Sequence, residues 1–417
     1  MKKVFTVAII GFGGRGQAYG DLMKNRPEEF KVVAVCDFDP VQQVNAKKML
    51  GLTDEAIFAD ENEFFKEKRA DALIIATYDR EHVRQCITAL ELGYDVLLEK
   101  PISDNREEIA SLLDVQKKTG GKVVVCHVLR YAAGFVKCAE LLREGAVGKL
   151  YAIDSSERVD YWHMAQAYVR GQWNDIEYSH PTILAKCCHD LDLVQAYAGA
   201  KCKTVSSLGG LEFFKPENAL EGSADRCTDC KYVDTCPYSA KRIYIDMWKN
   251  NGCSETAWPY SKVVPDYPIT EEKLYKGIQT NNYGRCAFKC GNNLVDRQYV
   301  QMDFENGVIA SHKMVFAAEG GRRIAFYGDY GEMIFDERPN TIEVKKFGEN
   351  PEVISVNKLN EGGYGHGGGD FGLVSNLYDI LCGKLNRTSL AESLESHLIG
   401  IAAEESRKQG GKLVSVH

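Results

Sequence analysis

Continuous apolar runs and amphipathic stretches alternate through the first third of the chain. Strands are predicted for the apolar runs at 4–10, 31–36, 71–77, 95–98 and 122–126. Strands that are apolar on both faces are typical of a parallel sheet covered by helices on each side. The pattern therefore predicts an α/β architecture, with a doubly wound parallel sheet over residues 1–128.

After residue 128 the apolar and polar positions begin to alternate. Residues 150–159, and several runs after residue 298 joined by turns, have the period of strands with one exposed face. Helices are predicted near 181–199, 371–381 and 391–409. Residues 129–417 are therefore expected to form an α+β domain with a large open, mostly antiparallel sheet and C-terminal helices. The second face of such a sheet suggests a homodimer or homotetramer.

Composition narrows the class of protein. The 417 residues include 44% hydrophobic residues, enough for real cores, and 51 basic against 59 acidic residues give a net charge of −8. This balance argues against a nucleic-acid partner. Because no apolar run is long enough to cross a membrane, we expect a soluble cytoplasmic protein without a membrane partner. The 14 cysteines are then expected to be thiols or metal ligands, since a reducing compartment disfavours disulfides.

The first strand leads directly into a glycine-rich turn, GFGGRG. Gly11, Gly13 and Gly16 have the spacing G-x-G-x-x-G, which permits a tight turn, close approach of a pyrophosphate and close packing of the following helix. The helix N-terminus would favour the anion. The sequence therefore predicts a Rossmann domain that binds a dinucleotide at residues 11–16, including Phe12, Gly14 and Arg15.

Asp37 follows the second predicted strand, 21 residues after Gly16. A carboxylate there could accept hydrogen bonds from the adenosine ribose hydroxyls and would repel a 2′-phosphate. We therefore predict NAD in preference to NADP. The alternative is that Asp37 only opens the turn at residues 37–40.

A charged pair follows the strand at 95–98. Glu99 and Lys100 precede Pro101, which fixes the backbone at the rim of the predicted cleft. A lysine beside a nicotinamide could hold a substrate hydroxyl and help to move its proton. The alternative is a solvated lysine at the end of a strand.

Together these motifs resemble the Gfo/Idh/MocA oxidoreductases, the family of glucose-fructose oxidoreductase and inositol dehydrogenase. The resemblance is carried by GFGGRG, Asp37, Ala76-Thr77, His82 and Glu99-Lys100-Pro101. It implies a nicotinamide cofactor between a Rossmann domain and an open-sheet domain, a sugar or cyclitol substrate, and Lys100 as a catalytic residue. It also implies cofactor contacts from Thr77 and His82. Tyr78 departs from the proline usual at that position.

The predicted helix 181–199 places Lys186 and His189 opposite its apolar stripe. His189 matches the family's histidine, whereas Ala185 replaces the family's aspartate four residues earlier. His189 has a suitable intrinsic pKa for a general base. Lys186 could lower that pKa or bind a substrate anion. The alternative is a structural histidine that bonds to backbone.

The segment 161–173 is rich in aromatic residues, with His163 and Arg170 among them. Aromatic rings can stack on sugars, and arginine can bind hydroxyls or a carboxylate. Tyr168 and Arg170 are therefore candidate substrate ligands. Simple packing is an equal alternative.

An insertion at about 221–292 contains six cysteines. Cys227, Cys230 and Cys236 have the spacing of metal ligands, and Cys290 is our candidate for a fourth thiolate. Zinc is favoured over an iron–sulfur cluster, since no redox role is needed there. Free thiols, or bridges formed on oxidation, are the alternative.

A glycine-rich loop at 361–370 precedes the helix predicted at 371–381. Asp370 is the expected N-cap, and His366 either reaches a ligand or is merely exposed. The predicted function is an NAD-dependent oxidoreductase acting on a hydroxyl carbon of a sugar, sugar acid or cyclitol. One alternative is an NAD-dependent glycosidase that oxidises its substrate transiently. The other is a nucleotide-binding protein without chemistry.

Overall fold

The computed structural model describes residues 3–359 and 365–417. Its first sheet is parallel, with the strand order β3-β2-β1-β4-β5-β6. The strands are β1 (Phe5–Ile10), β2 (Phe30–Cys36), β3 (Ile57–Phe58), β4 (Ala72–Ile75), β5 (Asp95–Leu98) and β6 (Val123–Val125). The connecting helices are α1 (Gly14–Lys24), α2 (Pro40–Leu50), α3 (Glu61–Phe64), α4 (His82–Glu91) and α5 (Arg106–Thr119). The predicted Rossmann architecture is confirmed.

The register of this sheet aligns the carboxyl ends of its strands. Ile10 pairs with Cys36 on one side and with Ile75 on the other, and Leu98 pairs with both Ile75 and Val125. The residues that follow these strands therefore emerge along one edge. That edge is where open α/β sheets bind their ligands.

The second sheet has nine strands in the order β14-β13-β12-β11-β7-β10-β9-β8-β15. They are β7 (Leu150–Asp160), β8 (Cys202–Gly210), β9 (Arg297–Phe304), β10 (Ile309–Ala318), β11 (Arg322–Gly328), β12 (Gly331–Asp336), β13 (Thr341–Lys346), β14 (Glu352–Ser355) and β15 (Val414–Ser415). Only β7 and β10 pair in parallel among the described strands of this sheet. The predicted mostly antiparallel sheet is confirmed, although β8, β14 and β15 were not predicted.

Helices cover one face of the second sheet. The helices after β6 are α6 (Ala133–Arg143), α7 (Tyr161–Met164), α8 (Thr182–Ala185), α9 (Cys188–Ala198), α10 (Met247–Asn250), α11 (Tyr260–Val263), α12 (Glu271–Thr280), α13 (Gly369–Leu381) and α14 (Leu390–Lys408). Helices α9 and α14 pack on the sheet. The strand register places exposed Leu208, Tyr299, Ile309 and Tyr327 together on one face. No helix in the described ranges is both long enough and apolar enough to cross a membrane.

Two local predictions are wrong. The single helix expected at 181–199 is two helices, α8 and α9, because α8 ends at Ala185 and the backbone leaves helical geometry at Cys187. Asp370 is not an N-cap either. Helix α13 is preceded by Gly368 in a left-handed conformation, and the Asp370 carboxylate, in the first turn, is bonded to Arg15 instead.

The insertion between β8 and β9 consists of turns and short helices. Asp296 fixes its base, because the backbone N–H groups of Glu212, Phe213 and Phe214 donate to its buried carboxylate. The insertion also reaches the Rossmann domain. Tyr267 donates to Gln17 at 3.3 Å, and Asn45 donates to the Pro265 carbonyl at 3.4 Å.

Candidate active site

The glycine-rich turn leaves room for a phosphate group. Gly11 has φ +84°, and a Cβ there would lie 2.5 Å from the Ala76 carbonyl oxygen. A Cβ on Gly16 would lie 2.1 Å from the Gly11 carbonyl oxygen, so the helix can pack this closely only with glycine. Gly13 and Gly14 instead face open space, and no side chain caps the N-terminus of α1. The turn therefore fits a dinucleotide pyrophosphate.

Asp37 lies beside this turn. Its Oδ2 accepts from the Phe12 N–H at 2.6 Å and its Oδ1 from the Asp39 N–H at 2.9 Å. Burial raises the pKa of Asp37, and these two hydrogen bonds offset only part of the rise. Phe38 and Tyr78 are exposed next to it, with ring centroids 6.3 Å apart.

Thr77 and His82 support the same edge of the sheet in different ways. Half-buried Thr77 donates to Gln85 Oε1 at 2.6 Å. His82 is buried, and its Nδ1 donates to the Pro101 carbonyl at 2.7 Å. A contact between His82 and the cofactor stays a prediction, and the bond to Pro101 shows that this side chain also fixes the turn that carries Lys100.

Glu99 is held from several sides. Its Oε1 accepts from Arg15 Nε and from the Tyr19 hydroxyl, each at 2.7 Å. Arg15 also pairs with Asp370 of the second domain at 2.8 Å. Burial favours the neutral acid, but the charges of Arg15 and Lys100 outweigh it and leave the pKa of Glu99 below its ordinary value. Glu99 is therefore a fixed carboxylate at the domain junction.

Lys100 spans the cleft between the two domains. Its Nζ donates to the Ala185 carbonyl at 3.0 Å, and the Lys100-Pro101 peptide is cis. Ala185 is the residue that replaces the family's aspartate. Position 185 contacts the lysine through a backbone oxygen that carries no charge.

His189 lies close to Lys100 at the start of α9. The side chain is buried, and Nδ1 has no hydrogen-bond partner within the described part of the chain. The rings of His127 and His366 lie 5.9 and 6.5 Å away, centroid to centroid. Burial, followed by the charge of Lys100, lowers the pKa of His189 well below its ordinary value. The imidazole is therefore neutral at pH 7 and can accept a proton.

Lys186 belongs to a buried network of charges beneath the site. Its Nζ lies 3.2 Å from Glu157, which pairs at 2.6 Å with Arg322, and Arg322 pairs at 2.9 Å with Asp190. Two cations thus face two carboxylates. Because its charge is already paired, Lys186 is less available to a substrate anion than the sequence suggested.

The aromatic segment contributes to the cleft through its first half. His163 packs against Trp258 of the insertion at 4.9 Å and lies 6.3 Å from Tyr168, centroid to centroid. Burial, and then the charges of Lys186, Arg322 and Lys100, lower the pKa of His163 well below its ordinary value. His163 and Trp258 were not predicted as site residues.

Arg170 lies in the second half of this segment, and its role as a substrate ligand stays a prediction. The segment continues from α7 as a π-helix, Ala165–Arg170, and ends among the cysteines of the insertion. Arg170 is only 2% exposed and donates to the carbonyls of Tyr238 and Arg285 at 2.6 and 2.7 Å. Its guanidinium is thus bonded inside the second domain and faces away from the cleft.

The comparisons with known proteins agree with this geometry. Residues 5–127 match the model of the oxidoreductase family's NAD-binding Rossmann fold, and residues 139–414 match that of its C-terminal α/β domain. The chain belongs to the Gfo/Idh/MocA oxidoreductase family. The resemblance predicted from the sequence is therefore confirmed.

The chain is similar to several known proteins. The putative oxidoreductase YteT of Bacillus subtilis is 26% identical over 392 residues, 87% of each chain. An inositol 2-dehydrogenase of Rubrobacter xylanophilus is 27% identical over 144 residues, 34% of this chain and 41% of that one. The solved structure of an oxidoreductase from Agrobacterium radiobacter in complex with NAD⁺, L-tartaric acid and magnesium superposes with a TM-score of 0.70. The two sequences are 14% identical, and the superposition covers 99% of this chain and 98% of the Agrobacterium chain.

His366 reaches the candidate active site from the glycine-rich segment before α13. Residues 361–364 of the predicted loop lie outside the described residues. The His366 Nδ1 lies 3.0 Å from Asp370, which is paired in turn with Arg15. The side chain is 42% exposed. His366 therefore lies at the mouth of the cleft, beside His189.

The predicted metal site at the cysteines stays a prediction, and the structure shows where these residues lie. Cys227, Cys230, Cys236 and Cys286 line a single cavity. Cys290 is not among its lining residues, and its thiol donates to the Cys286 carbonyl at 3.2 Å. The fourth cysteine that lines this cavity is thus Cys286, whereas the Cys290 thiol is bonded to backbone.

A different group, Cys187, Asp190 and His312, brings three potential ligand atoms within 4.8 Å of one another. The positive charge of Arg322, bonded to Asp190, disfavours a cation there.

Proposed function

We propose that the protein is an NAD-dependent dehydrogenase that oxidises a hydroxyl carbon of a sugar, sugar acid or cyclitol. The observation that carries the proposal is that Lys100 lies near His189, a buried imidazole whose Nδ1 has no hydrogen-bond partner among the described residues. An ammonium and a neutral imidazole are the two groups needed to hold a hydroxyl and to accept its proton. A non-catalytic nucleotide-binding protein would have no need of either.

The residues present fit the cofactor. Residues 11–16 and the N-terminus of α1 would hold the pyrophosphate, and Thr77 lies at the adjacent strand end. Asp37 would accept the adenosine ribose hydroxyls, and its charge supports NAD over NADP. Bound NAD would supply the hydride acceptor, its nicotinamide ring, and Glu99 and Lys100 would lie near that ring.

Side chains of the protein would carry out the proton transfer. Lys100 would donate a hydrogen bond to the substrate oxygen and stabilise the negative charge that develops there. His189 would take the hydroxyl proton, because its lowered pKa keeps the imidazole unprotonated at neutral pH. His163, Tyr168 and Trp258 would offer aromatic surface to a sugar ring, with Lys186 beneath.

The deciding experiment follows the fate of the hydride. The protein is incubated with NAD and a panel of free sugars, sugar acids, cyclitols and glycosides, and both NADH and oxidised product are measured. We expect NADH to accumulate in equal amount with the oxidised product and Lys100→Met to abolish both. Release of an aglycone without net NADH would favour the redox glycosidase and contradict the dehydrogenase.

We also propose a homodimer or homotetramer formed through the exposed face of the second sheet. Leu208, Tyr299, Ile309 and Tyr327 give that face an apolar character. Light scattering on the wild type and on Ile309→Glu tests this, and a monomeric wild type would contradict it.

A further inference from the structure

The insertion contains a small cavity with a sulfur-rich lining. Cys227, Cys230, Cys236 and Cys286 line it, together with aromatic and aliphatic side chains. It encloses about 380 Å³ not filled by protein atoms, part of it open to solvent. Four of the chain's 14 cysteines therefore converge on one space that the packing leaves empty.

Backbone contacts join the two segments that supply these cysteines. Arg226 and Arg285 form an isolated antiparallel bridge, and the Cys286 N–H donates to the Asp225 carbonyl at 2.8 Å. Within the first segment, turns hold Cys230 against Cys227, with a hydrogen bond of 3.2 Å between their backbone groups. The positions of the four cysteines are thus fixed by the backbone.

The separation of the sulfur atoms argues against zinc. In a zinc tetrathiolate, Zn–S bonds of about 2.3 Å in tetrahedral geometry place the sulfurs about 3.8 Å apart. Among the described residues, no three cysteines bring their sulfur atoms within 4.8 Å of one another. The cavity between them is also wide enough to admit a water-sized sphere, whereas four sulfurs around one zinc ion leave no such space.

Two buried polar groups lack partners at this cavity. The Ser239 hydroxyl, in the cavity lining, is buried and makes no hydrogen bond within the described part of the chain. Arg170 donates Nη2 to Cys227 Sγ at 3.5 Å, but its Nη1 has no hydrogen-bond partner among the described residues. A buried guanidinium needs a counter-charge, and a neutral thiol does not provide one.

We propose that Cys227, Cys230, Cys236 and Cys286 bind a [4Fe–4S] cluster. Each thiolate would bond to a different iron at the corners of a cubane, so the sulfurs stand farther apart than around a single ion. The four thiols lose their protons to solvent as they bind iron. The resulting negative charge would pair with Arg170, and Ser239 could donate to a cluster sulfur. No electron transfer is needed for this structural role.

The proposed cluster would fix the substrate side of the cleft. Arg170, at the cavity, and His163, in the cleft, belong to one continuous helical segment. Trp258 of the same insertion packs on His163. An ordered insertion would therefore keep both the segment and its aromatic cover in place.

The test begins with the full-length wild type, purified under strict exclusion of oxygen and without chelator. Iron, acid-labile sulfide and zinc are measured per chain, and visible absorption and electron paramagnetic resonance are recorded before and after dithionite. We expect about four iron and four sulfide per chain. We also expect a broad visible absorption that dithionite bleaches, with zinc far below one equivalent.

Matched serine variants test the ligand set. Cys286→Ser should lose at least half of the iron, whereas Cys290→Ser, four residues away, should retain it. Circular dichroism and NADH binding report whether each variant folds, and the metal content of the wild type decides the matter if Cys286→Ser does not. One zinc per chain without sulfide, or no metal in the oxygen-free wild type, would overturn the proposal. Iron loss in Cys290→Ser alone would overturn the assignment of Cys286.

Discussion

One arginine lies at the rim of the nucleotide cleft and another at the cysteine cavity, and the two differ in the partners that balance their charge. Arg15 at the rim pairs with Glu99 and Asp370, at 2.7 and 2.8 Å. Arg170 at the cavity donates to two carbonyls and a thiol and pairs with no carboxylate among the described residues. The first site is electrostatically complete in the polypeptide alone. The second would be completed by the anionic cluster proposed above.

This difference predicts opposite responses to substitution. Changes to the reactive groups in the cleft should lower the rate of reaction and leave the fold intact, because the supporting charges remain paired. Changes at the cavity should loosen the insertion first. Glu99 is the exception within the cleft, since its carboxylate belongs to the support.

The largest expected effect is on chemistry. Lys100→Met and His189→Asn should each lower kcat by roughly 10² to 10⁴, because each removes a group that stabilises or receives the transferred proton. NADH affinity should change only a few-fold. Steady-state kinetics and fluorescence titration measure the two quantities, with exposed Lys117→Met as the control. Normal turnover in either variant would remove that residue from the mechanism.

The next effect tests the cavity. Cys236→Ser should raise the rate of limited proteolysis within residues 221–292 on the order of a hundredfold, since loss of a metal centre costs folding energy locally. Exposed Cys382→Ser should cleave at the wild-type rate. Equal cleavage of both variants would mean that the cavity contributes nothing to the order of the insertion.

Glu99→Gln should lower the free energy of unfolding by about 2 to 3 kcal/mol, because it removes a charge-assisted bond from Arg15 while Asp370 still pairs with that arginine. The loss should shrink as the pH falls below the ordinary pKa of glutamate, because the unfolded chain is protonated there first while the folded Glu99, whose pKa is lowered, stays ionised, so the wild type loses this stability. Urea unfolding at several pH values measures it. Exposed Glu28→Gln serves as the control, and equal stability of the two variants would contradict the account of the rim.

Asp37→Ser should shift the preference between NAD and NADP by about 1 to 2 kcal/mol, a five- to thirtyfold change, through loss of one charge-assisted contact. The expected change is modest because the carboxylate is already shared with two backbone N–H groups. Titration with NADH and NADPH tests it, with Asp114→Asn as the control. Tighter binding of NADPH by the wild type would refute the assignment.

The smallest effect concerns pH. Because the pKa of His189 is lowered, kcat/KM for oxidation should hold as the pH falls through 6.5, the ordinary histidine value, and decline only below it. The same sign applies to stability: the unfolded chain takes up this proton first, so the folded state loses stability as the pH falls below 6.5. A pH profile whose acidic limb lies above 6.5 would contradict the buried, neutral imidazole.

Local patterns were sufficient to predict the first sheet and the glycine-rich turn, because a buried parallel strand and its turn depend on adjacent residues. They failed where the outcome depends on distant contacts. The direction of Arg170 is set by carbonyls at Tyr238 and Arg285, and the place of Cys286 at the cavity by a bridge between separated segments. The break at Lys186 and Cys187 has no proline or glycine to signal it.

The bond from Lys100 to the Ala185 carbonyl does not depend on the side chain at position 185. Every amino acid has a backbone carbonyl. A substitution at position 185 can therefore change the side chain without removing the hydrogen-bond acceptor. A search that scores side chains would count the motif as lost here. Sequences that lack the aspartate should therefore not be sorted as inactive on that ground alone.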